Sequence, residues 1–140
     1  MRILEARAWV DTARTIGMYD IHEMHFDEET IIVECIDEHD KERSYETFGF
    51  DDVTIEYDTG KKDKNGAKIY EGDIVKHYQK YMLNNDSICK IVFDERNATF
   101  KAATPPRHED GAYLSMSGSE NMEVIGNIHQ NPELLEQYEN

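Results

Sequence analysis

Apolar residues in this chain come in short runs rich in β-branched types, each cut off within a few positions by glycine, asparagine, proline or a cluster of charge. Such runs carry the period of strands and are too short for core helices, so the chain is expected to build sheets. Leu4, Ala6, Ala8 and Val10 alternate with Ile3, Glu5, Arg7 and Trp9, which places a first strand at about 3–10. Residues 31–36 and 53–57 follow, with 38–43 as a hairpin end and 48–52 as a connection whose aromatic side chains pack back onto the sheet. Further strands are expected at 74–78, 88–93, 99–102, 113–116 and 123–128. The tail differs: Asn131 is a good N-cap, Pro132 suits the first helical position, and Glu133 and Glu136 complement the helix dipole. A short helix is expected over 132–138, with Leu134, Leu135 and Tyr138 on one apolar face that docks onto the sheet or onto a second subunit. The fold class is therefore mainly β with a short C-terminal helix. One domain is expected over 1–140, divisible into an acidic β region, 1–58, and a barrel-like region with the helix, 59–140.

Charge narrows the possible partners. The 140 residues hold 15 Lys and Arg against 30 Asp and Glu, a formal charge of −15 that repels phosphate backbones and anionic membranes. The excess is uneven: 1–58 carries 5 basic and 17 acidic residues, 59–101 carries 9 and 6, and 102–140 carries 1 and 7. The acidic runs Asp27-Glu28-Glu29 and Asp37-Glu38-His39-Asp40 read as solvated turns between strands. The sharper alternative is an acidic face that mimics a nucleic acid and occupies a nucleic-acid-binding protein. No run reaches the length of a membrane span, and the first ten residues lack the apolar core of a secretory signal, so a cytoplasmic protein without membrane contact is expected. Cys35 and Cys89 stand alone in β-like runs and read as reduced core residues.

The densest punctuation lies in the middle. Gly60 to Gly66 is a Lys-rich loop closed by the turn signal Asn65-Gly66, and Gly72-Asp73 forms a sharp pivot into the strand at 74–78. The stretch Thr59-Gly60-Lys61-Lys62-Asp63-Lys64-Asn65-Gly66 with Ile69-Tyr70-Glu71-Gly72-Asp73-Ile74-Val75 resembles the YopX-like family of phage and prophage proteins. Two further matches stand in the family's order: Arg7-Ala8-Trp9 near the start, and Glu123-Val124-Ile125-Gly126-Asn127-Ile128-His129 with Asn131-Pro132-Glu133-Leu134-Leu135 at the end. Lys61, where the family usually has an apolar residue, and an extra Asp58 are departures confined to the loop. The resemblance implies a mostly β protein of phage or prophage origin and names no reaction. The Tyr-Glu-Gly-Asp-Ile-Val stretch resembles the entry into the first strand of small SH3-like barrels, which implies a small open SH3-like barrel or sandwich in the C-terminal two-thirds, and Gly60, Asn65, Gly66, Gly72 and Asp73 are given a structural role as turn residues.

Catalytic and metal patterns are weak. Of His22, His25, His39, His77, His108 and His129, the closest pair encloses Glu23-Met24, one residue short of the HExxH spacing. In an extended segment, that pair points to opposite faces. No GxSxG, Walker-type or GxGxxG motif is present, and no enzyme, metal or cofactor is expected. Lys61, Lys62, Lys64 and Lys68 with Tyr70, and Lys76, Lys80, Tyr78 and Tyr81 beyond, offer a local basic-aromatic surface that suits weak single-stranded nucleic-acid binding. The simpler reading is an exposed lysine-rich hairpin balancing the acidic half. The expectation is a non-enzymatic interaction module with phage or host protein partners, self-associating through open sheet edges and the terminal helix. Its candidate surface is Lys61, Lys62, Lys64, Lys68, Tyr70, Leu134, Leu135 and Tyr138.

Overall fold

A computed structural model describes residues 5–78, 87–104 and 113–136. The chain is mainly β, with antiparallel sheets and one short C-terminal helix, and it divides into two compact units, Met1–Tyr57 and Asp58–Asn140.

The first unit is a meander of β1 (Ala6–Asp11), β2 (Ile16–His25), β3 (Thr30–Ile36) and β4 (Arg43–Gly49), followed through a 3-10 turn at Phe50–Asp52 by β5 (Val53–Lys62). Within this unit the strand order β4-β3-β2-β1-β5 puts β4 and β5 four strand spacings apart, yet only the three residues of that turn join them. Five flat strands would hold their outer members about 19 Å apart, farther than so short a link reaches, so the sheet must curl. Its concave face takes the alternating apolar residues: Ala8, Val10, Ile31 and Val33 are fully buried, with Tyr19, Ile21, Met24, Phe48 and Ile55 packed around them. The acidic runs fall in the turns, as expected. In the β3–β4 turn the Asp37 carboxylate accepts the His39 N–H at 2.8 Å and the Asp40 N–H at 3.2 Å, which holds it below the ordinary carboxylate range. One buried ion pair crosses the β1–β5 ladder: Arg7 stands opposite Glu56, and its Nε donates to Glu56 Oε1 at 3.1 Å. The Arg7-Ala8-Trp9 motif thus places a cation beside a carboxylate that is 2% exposed.

The second unit holds β6 (Lys68–Tyr70), which pairs with the end of β5, and a sheet in the order β10-β9-β8-β7-β11. Its strands are β7 (Asp73–His77), β8 (Ser87–Asp94), β9 (Thr99–Ala103), β10 (Tyr113–Ser115) and β11 (Met122–Asn127), with a 3-10 segment at Met116–Asn121. A separate core of Ile69, Val75, Cys89, Ile91, Ala102, Met116 and Met122 lies on this sheet. Both cysteines are free, and burial pushes the Cys89 thiol up to about 12. Among the described residues no ladder closes either sheet into a barrel.

Several sequence expectations need correction. β2 and β4 are full strands: no element was expected over 16–25, and the hairpin end at 38–43 and the connection at 48–52 touch only the two ends of β4. The loop 60–66 is shorter than expected, because β5 continues to Lys62 through a bulge: Asp58 pairs with Tyr70 and Lys62 with Lys68, so three residues oppose Ile69 alone. Over the described residues the helix α1 covers Glu133–Glu136, positions 137 and 138 of the expected helix lying outside them, and Asn131 does not cap it through its side chain, since Asn131 Oδ1 accepts the Asn127 N–H instead. Leu135 is buried within its own unit, where α1 packs on β8, so it is not available to a partner. Tyr138 lies outside the described residues, as do Lys80, Tyr81 and His108.

Candidate functional site

The glycine-aspartate punctuation of the second unit assembles into one hydrogen-bonded junction. Its centre is Asp63, 7% exposed in the turn between β5 and β6. One carboxylate oxygen accepts the backbone N–H groups of Asn65 and Ala67, each at 2.9 Å, and the other accepts the N–H of Val124 on β11, also at 2.9 Å. Burial pushes this carboxyl up, but the three donors and the neighbouring Lys64 charge outweigh it and hold the group below its ordinary value. The Lys64 N–H donates to the Met122 carbonyl at 2.9 Å, so the turn also covers the outer edge of β11. Gly66, at φ +83°, closes the turn in the left-handed region expected of Asn65-Gly66.

The second pivot is Gly72, at φ +86°. Its N–H donates to the Ile91 carbonyl and its carbonyl accepts the Ile128 N–H, both at 2.9 Å, which ties β8 to the segment after β11. Next to it the Asp73 carboxylate, 2% exposed, accepts the Tyr70 N–H at 2.8 Å. The tail closes the same junction. Asn127 Oδ1 accepts the N–H groups of His129 and Gln130 at 3.0 and 2.9 Å, and its Nδ2 donates to Gln130 Oε1 at 2.6 Å. Gly126 is required by packing, because a Cβ there would stand 2.5 Å from Asn131 Oδ1. Gly60, at φ +82°, lies in the bulge of β5, and Asn65, Gly66, Gly72 and Asp73 lie at these turns. Asp63, Gly126 and Asn127 belong with them, although only proximity to a turn glycine marked them in the sequence.

The lysines divide. Lys64 lies over the Tyr78 ring, its Nζ 4.0 Å from the centroid and 3.7 Å from Glu123, while Tyr78 donates its hydroxyl to Glu123 at 2.6 Å. Lys76 Nζ also lies over that ring, 5.2 Å from its centroid. This pair is engaged within the unit and offers no stacking surface. Lys62 and Lys68 are exposed at the β5–β6 end, Tyr70 is half-buried, and Leu134 is half-buried on α1. Lys61 instead lines an open depression of about 440 Å³ with Phe100, Lys101, Tyr113 and the hydroxyls of Ser115 and Ser117. There Lys101 Nζ sits 3.0 Å from Asp94 and 5.5 Å from the Tyr113 ring centroid, and Phe100 meets the Phe93 ring at a 60° tilt with centroids 5.1 Å apart.

A family matches nearly the whole chain, this junction included: residues 5–136 fit the family described as YopX protein. The chain belongs to the YopX family. This YopX-family chain is also similar to a solved structure, the crystal structure of protein EF1440 from Enterococcus faecalis, at 25% identity and a TM-score of 0.59, covering 95% of this chain and 98% of that one. No curated protein matches it.

In the first unit, the structure revises the histidine geometry. A bulge between Ile21 and Glu23 breaks the strict alternation of β2, so His22 and His25 both approach Glu23, at 4.0 and 2.9 Å, instead of pointing apart. Among the described residues no group of three His, Cys, Asp or Glu side chains is placed to hold a metal ion, and no helix is long and apolar enough to cross a membrane. What the first unit does present is apolar surface: Ile16, Phe26, Ile36 and Tyr45 are each more than half exposed. They share the unit with the largest acidic excess of the chain, net −12 over 1–58.

Proposed function

We propose that this YopX-family chain is a non-enzymatic interaction module, a phage or prophage accessory protein that acts on phage or host proteins in the bacterial cytoplasm. The observation that carries this reading is the exposure of Ile16, Phe26, Ile36 and Tyr45 on the acidic first unit, while the glycine, aspartate and asparagine motifs are committed to holding the second unit together. Exposed apolar side chains on an acidic unit suit contact with a protein, the apolar groups supplying burial and the charge selecting the partner. An acidic inhibitor of a host nucleic-acid-binding protein is one form of this reading. Affinity capture with tagged chain from lysates of infected and uninfected cells tests it, scored by whether a recovered protein binds directly when purified. Failure of every recovered protein to bind directly, or loss of none of the binding on substituting Ile36 and Tyr45 by Ser, sinks the reading.

Self-association through sheet edges loses the support of the terminal helix, because Leu135 is used internally. Any remaining self-association brings two acidic units together and must rise with salt as their repulsion is screened, which light scattering across a salt series checks. A second reading rests on the depression at Lys61, Phe100, Lys101 and Tyr113, whose lysines and rings suit weak single-stranded nucleic-acid binding better than the Lys64–Tyr78 pair does. Fluorescence anisotropy with single-stranded DNA at low salt decides it: saturable binding lost on raising salt supports it, and no binding ends it.

A further inference from the structure

We infer that the free edge of β4 is a strand-addition site for a basic, extended segment of a partner protein. This deepens the interaction-module reading and rests on it.

Over the described residues β4 pairs with β3 alone, in seven consecutive register pairs from Thr30 with Gly49 to Ile36 with Arg43, without a bulge. Arg43 to Thr47 are all exposed, and the strand contains no proline and no lysine. Sheet edges are ordinarily protected by shortness, bulges, proline, lysine or a covering segment. The second unit shows such protection at β11, where Asp63 and Lys64 take up the Val124 N–H and the Met122 carbonyl. Among the described residues β4 has no bulge, proline, lysine or covering segment, only the charges of Arg43 and Glu46, so its outward backbone groups form a template for another strand.

The side chains along that edge specify the occupant. Ser44 and Glu46 project to the concave face beside Phe48, opposite Cys35 and Val33, and Arg43, Tyr45 and Thr47 to the other, with Tyr45 51% exposed, while Glu42 precedes the strand. Asp37, Glu38 and Asp40 flank one end of the edge, Asp51 and Asp52 the other, and all five are exposed. Arg43 is already engaged by Glu34, at 3.2 Å. The complementary strand therefore alternates a cation, opposite Glu46, with an apolar residue, opposite Tyr45. A second copy of this chain is the poorer occupant, since it would bring another net −12 against the first. The edge thus excludes its own kind by charge and accepts a basic strand.

The probe is a fluorescein-labelled, terminally blocked eight-residue peptide alternating Lys and Val, followed by anisotropy with the full chain. Controls are peptides alternating Lys with Gly and Glu with Val. Expected is saturable binding of the Lys-Val peptide, at least about tenfold tighter than that of either control, weakened at least about tenfold by Glu42→Lys with Glu46→Lys. Neighbouring residues of a strand point their N–H groups to opposite sides, so of Ser44→Pro and Tyr45→Pro one blocks the outer edge and the other damages the β3–β4 ladder. The variant that keeps the native circular dichroism must lose the peptide. Equal binding of Lys-Val and Lys-Gly peptides, or unchanged binding by the folded proline variant, overturns the edge proposal. A captured partner that binds wild type and the glutamate double variant alike also overturns it, while leaving the module reading intact.

Discussion

Replacing Asp63 tests whether the second unit is held by the junction described above. Its carboxylate accepts three backbone N–H groups at 2.9 Å, from Asn65, Ala67 and Val124. Asn65 and Ala67 are exposed, so water can satisfy them after Asp63→Ala, and their two bonds count at about 1 kcal/mol each. The half-buried Val124 donor is less easily rehydrated, and a charge-assisted bond of its kind is worth about 1.5–3 kcal/mol. The expected loss at pH 7 is therefore about 3–5 kcal/mol. Asp63→Asn should fall between wild type and alanine, because one amide face still accepts while the other presents a donor to a donor. Urea unfolding is followed by far-UV circular dichroism and by fluorescence of Trp9, the single tryptophan, which lies in the first unit and so helps to tell which unit has been affected. pH supplies an independent check. The folded carboxyl titrates below its ordinary 3.8, so between the two values the unfolded chain binds a proton that the folded chain does not. The stability that Asp63 contributes is thus complete above about 3.8 and is lost as pH falls through the folded value, and the gap between wild type and Asp63→Ala must narrow there. A loss under about 1 kcal/mol at pH 7, or a gap that does not narrow in acid, refutes Asp63 as the centre of the junction.

Three further outcomes follow from the packing. Gly126→Ala forces a Cβ to within 2.5 Å of Asn131 Oδ1. It should cost about 1–3 kcal/mol in thermal unfolding, part of which Asn131→Gly restores. Arg7→Ala leaves Glu56 buried without its cation and should destabilise the first unit by about 3–5 kcal/mol, whereas adding Glu56→Gln recovers much of that; Trp9 fluorescence during denaturation reads both. The Cys89 thiol, buried and pushed up to about 12, should resist alkylation at pH 8 until the chain is unfolded, as counted by mass spectrometry; rapid modification in the native protein contradicts its burial.

Local pattern alone determined much of this protein. Alternating apolar residues located β1, β3, β7, β8, β9 and β11, the acidic runs marked solvated turns, and Asn65-Gly66 and Gly72-Asp73 announced the backbone reversals that the structure shows. These features are legible because strand period and turn conformation are set by neighbours in the chain. β2 escaped because the bulge at His22 breaks its period, and β4 because an edge strand exposed on both faces at Arg43 to Thr47 needs no apolar alternation. Only the tertiary structure decided the rest. The Val124 donor lies 61 residues from Asp63, the Glu56 carboxylate 49 from Arg7, and Leu135 finds its burial against β8, across the unit. Such partners are chosen by which strands lie side by side, a property that no local window of sequence contains. The charge total belongs to the sequence, but which backbone edge that charge surrounds is fixed by the strand order, and the proposed partner follows from that edge.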